Sequence, residues 1–306
     1  MNPLEICKIG NTGVAVTKLG MGGAAIGGLY TDVPYNQAIE TIQLALKLGV
    51  SYMDTSPLYG LGKSEIIFGQ ALAGIPRDEY VISSKVGRIL TAGDSRNRDL
   101  INGSLTPFVN LPQRDVTFDF SRDGVLRSID ESLNRLGLNS IDIVMIHDPD
   151  SHYRQAIDEA FPVLADLRSQ GIVKAIGVGM NQWQLLTKFA IYGDFDCFLL
   201  AGRYTLLDHS GLVELLPLCS NRNISVIIGG PYNSGILASN LSSEAMYFYS
   251  HAPHEVLERT RRIKAICDNF NVPLKAAALQ FGLLHPAVAS TIPGSRSVSE
   301  IKENLQ

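Results

Sequence analysis

The chain has 306 residues, twice the ~150 of an average domain but within the range of a closed α/β barrel, which runs to about 250 residues or more. Its 26 Lys plus Arg against 30 Asp plus Glu give a formal charge of −4 and a pI near 5.9, so no global positive field gathers nucleic acid or anionic lipid. Hydrophobic residues at 45% and charged residues at 18% exclude a disordered chain, and no apolar run reaches the 18 or so residues that span a bilayer.

The opening residues, MNPLEICKIG, carry Glu5 before any apolar stretch, which is not the layout of a secretion signal. Cys7-Lys8-Ile9 and Val14 to Lys18 flank Gly10-Asn11-Thr12-Gly13, the pattern of a small β-hairpin. Short β-rich runs then recur at 19–23, 51–54, 80–86, 141–146, 173–178, 195–200, 224–229 and 288–292. Between them, apolar residues fall at helical spacing over 35–48, 123–137, 154–170, 182–192, 211–220 and 255–270. Gly137 supplies a stop for the second of these. Strand then helix, about eight times over and with no linker cutting the chain, predicts one (β/α)8 TIM barrel over 1–306 preceded by the hairpin. The segments 87–121 and 230–254 are too long for ordinary loops and would emerge at the C-terminal mouth, where barrel chemistry is done. The four cysteines, Cys7, Cys197, Cys219 and Cys267, form no C-x-x-C pair. That predicts reduced thiols in a cytoplasmic protein, with neither a disulfide frame nor a zinc site. Scattered histidines likewise predict no metal.

Two familiar motifs fail. Gly20-Met21-Gly22-Gly23-Ala24-Ala25 fits the dinucleotide fingerprint of the open doubly wound sheet, but Gly27, Gly28 and Pro34 delay any helix past it. Gly62-Lys63-Ser64 ends like a phosphate loop, yet the required glycine position holds Pro57. No G-x-S-x-G serine elbow exists. The informative residues sit at strand ends instead. Asp54 closes the second run, with Tyr59 five residues on; Lys85 interrupts the third; His147 closes the fourth. A tyrosine or histidine there has a structural explanation too. A lysine inside a buried strand demands a carboxylate, and Asp54 on the neighbouring strand supplies one. A cation beside the Tyr59 phenol is expected to lower its pKa towards the working range, with a neutral His147 orienting the reacting oxygen. The set suits proton transfer at a carbonyl oxygen while a nicotinamide exchanges hydride with the carbon.

The pieces MDTSPLYG, ISSKVGR, IDIVMIHDPD, AIGVGMNQ and STIPGSRSVSEIKENL resemble, in order and over nearly the whole chain, those of the aldo-keto reductase superfamily. The resemblance implies a catalytic tetrad of Asp54, Tyr59, Lys85 and His147 and a bound NAD or NADP, with Tyr59 as acid or base. It implies cofactor contacts from Gly22, Gly23, Asn181, Tyr232, Ser234, Gly235, Pro293, Gly294, Ser295, Arg296, Glu300 and Asn304, with Tyr30 as an expected substrate contact; Asp148 and Asp150, which follow His147, are placed either to bind substrate hydroxyls or to form a solvated acidic turn. GVGMNQ and YNSGIL are similar to the branch that oxidises aldoses such as L-fucose, D-threo-aldose and L-galactose, or pyridoxal, as cyclic hemiacetals to lactones. The partner is then a small sugar or aldehyde, with no nucleic acid or membrane partner and a homo-oligomer open. An NADPH-dependent aldehyde reductase, a non-catalytic nicotinamide-binding regulatory subunit and a barrel working without coenzyme are the alternatives. Two departures stand out. Leu200-Ala201-Gly202-Arg203-Tyr204 lacks a glutamine common in the family at the carboxamide. Gly294 and Glu300 align with positions often held by lysine and arginine in NADPH reductases, which predicts NAD preference, with Arg296 arguing the other way. The chain stops at Gln306, inside the last motif, where the resemblance implies a further helix and tail.

Overall fold

A computed structural model describes residues 1–93 and 107–306, with the backbone alone at 100–101 and 104–105; the middle of the expected 87–121 segment therefore lies outside the described residues. Eight parallel strands are present: β1 Met21–Gly22, β2 Tyr52–Asp54, β3 Val81–Val86, β4 Ile143–His147, β5 Ala175–Met180, β6 Cys197–Ala201, β7 Ser225–Gly229 and β8 Val288–Ile292. Each is hydrogen-bonded to the next in order, and the parallel bridges Leu19↔Thr291 and Gly22↔Gly294 join the last to the first. The sheet thus closes as the recurring strand pattern predicts.

The side-chain period of two sorts every strand into two faces. Tyr52, Ile143, Met145, Ala175, Cys197, Leu199, Ile227, Ala289 and Ile292 pack together inside the barrel. Met53, Ile82, Val144, Ile146, Ile176, Val178, Phe198, Val226 and Ile228 pack outward against the helices. The hairpin Ile6–Lys8 with Ala15–Thr17 is present, and its Ile9, Val14 and Val16 join the inner set. Gly10 N–H donates to Ser225 Oγ at 2.9 Å, at the start of β7, so the hairpin plugs the N-terminal floor. The same alternation puts Asp54 in the inner row with Tyr52, Lys85 in the row with Ser83, and His147 in the row with Met145.

Helix Arg122–Leu136 is capped by Ser121 Oγ, which accepts from Gly124 N, and ends on Gly137 at φ 62°. The helix expected over 211–220 instead runs Leu215–Arg222. Pro217 lacks an N–H and is tolerated only in a first turn, so the helix cannot begin four residues earlier. Helices Lys63–Leu72 and Leu274–Phe281 lie outside the periodic segments read from sequence. In the first, Ser64, Glu65, Ile67, Phe68, Ala71 and Leu72 are all buried, so no polar stripe marks its outer face. The long segments carry structure of their own. Arg88–Ala92 pairs with Arg114–Phe118, and Met246–Tyr247 pairs with Ser250–His251.

Candidate active site

At the C-terminal mouth the amine of Lys85 donates to Asp54 Oδ2 at 2.8 Å, to Oδ1 at 3.0 Å and to the Thr55 carbonyl at 2.9 Å. Both side chains are 1% exposed. An ion pair taken this far out of water is tolerable only because the ammonium is fully engaged and the carboxylate has further donors. Ser83 Oγ donates to Asp54 Oδ1 at 2.7 Å and meets Tyr52 OH at 3.0 Å. A continuous polar string thus crosses an otherwise apolar barrel interior. It holds the Lys85 amine 4.6 Å from the centroid of the Tyr59 ring.

The Tyr59 ring meets the His147 imidazole edge-on at 5.9 Å and 88°. His147 Nδ1 lies 3.0 Å from Ser56 Oγ, which also accepts the Leu58 N–H at 3.1 Å. We assign the serine hydrogen to Nδ1, which leaves the ring's own hydrogen on Nε2, 3.5 Å from Asp148 Oδ2. Burial, and after it the Arg88 and Lys85 cations, push the His147 pKa well below its ordinary value, so the ring is neutral. Arg88 Nη2 donates to Asp148 Oδ2 at 2.8 Å, and its guanidinium lies 4.8 Å over the Phe118 ring. Asp148 adopts φ 41°, a left-handed turn that aspartate bears better than most residues.

One expectation is corrected here. Lys85 does sit beside Tyr59, but the phenol is pushed well above its ordinary value, first by burial and then by Asp54 and Asp148, with only Arg88 opposing. The charge of Lys85 is spent on Asp54, so desolvation wins and the phenol carries its proton.

Two cavities meet here. The inner one, about 190 Å³, is lined by Asp54, Tyr59, Lys85, His147 and Asp148 together with Gly22, Gly23 and Asn181. The outer one, about 510 Å³, is lined by Tyr30, Asn181, Tyr232, Ser234, Gly235, Gly294, Arg296, Glu300 and Asn304 among others. Asn181, Gly294 and Tyr249 border both. The glycines are needed for close approach: a Cβ on Gly23 would lie 2.7 Å from the Asp54 carbonyl, and one on Gly22 2.9 Å from that of Ile292. Asn181 Nδ2 donates to the Ala201 carbonyl at 3.0 Å, leaving its Oδ1 as an acceptor. Tyr232 OH donates to Asn304 Oδ1 at 2.7 Å. The Glu300 carboxylate takes both the Arg296 N–H at 2.6 Å and its guanidinium at 3.0 Å.

Pro293 and Ser295 do not line either cavity: the Pro293 carbonyl accepts from Gly22 N–H, and buried Ser295 Oγ accepts from Asn304 Nδ2 at 3.1 Å. Tyr30 borders the outer cavity and stacks on Tyr249, which borders both. Composition and periodicity did not single out Arg88, which holds Asp148, or Tyr249, which borders both cavities. The only signal for Arg88 was its place two residues past a strand end that closes on a glycine.

Residues 18–306 match the Aldo/keto reductase family. The chain is 39% identical to pyridoxal 4-dehydrogenase of Microbacterium luteolum, over 97% of this chain and 91% of that protein. It is 38% identical to D-threo-aldose 1-dehydrogenase of a Pseudomonas species (96% and 90%), and 29% identical to L-galactose dehydrogenase of Arabidopsis thaliana (100% and 88%). The solved structure of an aldo-keto reductase from Bacillus halodurans superposes with a TM-score of 0.75 at 24% identity, covering 99% of this chain and 90% of the other; that similarity concerns the fold.

The neutral His147 has a consequence for stability. Its pKa in the folded chain lies below the value of about 6.5 that it takes when unfolded, so below pH 6.5 the unfolded chain binds the extra proton and stability falls with pH. In urea unfolding between pH 5 and 7.5, the stability difference between wild type and His147→Gln should shrink on acidification, approaching about 1.4 kcal/mol per pH unit. A difference that stays constant with pH would mean a solvated imidazole, and one that grows on acidification would mean a charged one.

Proposed function

The chain belongs to the aldo/keto reductase family, and we propose that it oxidises a cyclic hemiacetal, an aldose at its anomeric carbon or pyridoxal, to the lactone, with NAD as the preferred coenzyme. What supports this is one juxtaposition: a phenol and a neutral imidazole N–H facing one small cavity, with a buried amine under the phenol. The relatives named for oxidising pyridoxal and D-threo-aldose narrow the substrate class.

The residues fit a dinucleotide. Asn181 stands where the two cavities join, and the outer cavity runs from it to Arg296 and Glu300 beside the N-terminus of helix Val298–Leu305. Asn181 would hold the carboxamide, Tyr232 and Asn304 would flank the bridging phosphates, and Glu300 would receive the ribose 2′-hydroxyl. When bound, the nicotinamide supplies the hydride acceptor for oxidation and the donor for reduction. Around the reacting carbon, His147 Nε2–H donates to the oxygen being transformed, and Tyr59 exchanges that oxygen's proton. Asp148 accepts a hydrogen bond from a neighbouring substrate hydroxyl. The Arg88 pairing keeps its charge in place.

The phenol that keeps its proton supports a second reading, reduction of simple aldehydes with Tyr59 as acid. A panel of L-fucose, L-galactose, D-arabinose and pyridoxal, followed at the NADH absorbance, separates the two. The hemiacetal reading expects NADH production that rises with pH and is lost by at least about a thousandfold in Tyr59→Phe. Silence on all four, beside brisk NADPH-dependent reduction of propanal, would establish the reductase instead.

Coenzyme preference has its own test. Glu300 presents a carboxylate where a 2′-phosphate would sit, and it neutralises the Arg296 guanidinium. Glu300→Ala should raise the NADP to NAD ratio of kcat/KM by about tenfold, or 1.4 kcal/mol. A wild type already favouring NADP tenfold would refute the NAD preference.

A further inference from the structure

Past β7, strand Met246–Tyr247 turns back into Ser250–His251, leaving Phe248 and Tyr249 as the two turn residues. Both are left-handed, at φ 45° and 67°. That is the pattern of a type I′ hairpin turn, which is normally filled by Asn-Gly or Gly-Gly, and two bulky aromatics are a poor choice for it on local grounds. The surroundings hold them there. The Arg203 guanidinium lies 4.0 Å over the Phe248 ring and donates to Asp208 Oδ2 at 3.0 Å. Phe248 also rests on Gly202, where a Cβ would meet the ring at 3.2 Å. With Phe248 as the anchor, Tyr249 is thrown across the mouth. Its ring stacks on Tyr30 at 6.4 Å and 29°, and Tyr30 is itself left-handed at φ 65°.

Tyr249 borders both cavities, and in the inner one it faces the space shared by Tyr59, His147 and Asp148. Phe108, Leu29 and Leu58, which cluster with Tyr59, line the same cavity. Strain gathered in one turn and aimed at a reacting centre is how sites position groups that local propensity would place elsewhere. Beside the polar tetrad, the wall is therefore aromatic and apolar, with Phe108 6.2 Å from the Tyr59 ring. Such a wall suits a rigid ring with a C–H or π face, because the ring buries its area with no rotors left to freeze. An open-chain aldehyde offers less area and loses torsional freedom.

We propose that Tyr249, carried by the Phe248 anchor and backed by Tyr30, is a specificity-determining residue that selects a ring-closed hemiacetal over an open-chain aldehyde. The proposal rests on the hemiacetal reading above. The test compares kcat/KM for oxidation of pyridoxal and L-fucose with that for reduction of propanal in wild type, Tyr249→Ala, Tyr249→Phe and Tyr249→Trp. Because the measured quantity is a ratio of two activities in one preparation, any loss of folded protein cancels. Tyr249→Ala should lower the ring-to-chain ratio by about tenfold or more, chiefly through KM, while the two aromatic variants hold it within about threefold of wild type. Continued oxidation of the ring substrates by Tyr249→Ala at an unchanged ratio would overturn the role of Tyr249 alone. A wild type that reduces propanal through Tyr59 but oxidises neither ring substrate would overturn the hemiacetal reading, and this inference with it.

Discussion

An ammonium and a carboxylate held together out of water, Lys85 on Asp54, are the constraint around which the mouth of this barrel is built. Burying the two charges separately would be prohibitive, and burying them as a pair is acceptable only with every donor and acceptor used. Here they are: the amine reaches two carboxylate oxygens and the Thr55 carbonyl, and Ser83 supplies the carboxylate with a further hydrogen. Meeting those requirements ties the ends of β2 and β3 together and fixes the start of the loop that carries Ser56 and Tyr59. The phenol then has one place to lie, over the amine and against the edge of His147.

The charges in the site balance. Lys85 and Arg88 are matched by Asp54 and Asp148, each cation hydrogen-bonded to its own carboxylate. A neighbouring cation lowers a phenol's pKa only to the extent that its field is not already cancelled. With both cations paired and the ring buried, the Tyr59 proton stays on, and His147 stays neutral for the same desolvation reason. On the proposed function, an acid and a hydrogen-bond donor are thus pre-set at one oxygen position. Running the chemistry in the oxidative direction requires the phenol to give up its proton first, which is why alkaline pH should favour that direction.

Much of this was legible in the sequence because buried parallel strands are almost uniformly apolar, so Asp54, Lys85 and His147 stand out where they end or interrupt such runs. The barrel and its floor hairpin follow from the same regularity. Helix Lys63–Leu72 was not legible, since a helix buried on most of its surface shows no stripe. Pro293 and Ser295 follow the family motif and are buried, the Pro293 carbonyl accepting from Gly22 N–H and the Ser295 hydroxyl accepting from Asn304. Arg88 and Tyr249 carry no periodic signal at all. Their positions depend on loops whose course is set by distant partners, Asp148 for one and the Arg203–Phe248 stack for the other. The raised Tyr59 pKa was hidden for a related reason: the sequence shows which cation is adjacent, but not how completely that cation is already neutralised.

The most direct measurement of the central interaction is a double-mutant cycle on stability, using Lys85→Met, Asp54→Leu and the two together in urea. Each single change strands one buried charge and should cost about 3–5 kcal/mol, while the double should cost several kcal/mol less than their sum. Additivity to within about 0.5 kcal/mol would show that the two groups are not coupled, and the geometry of the mouth would then need another origin.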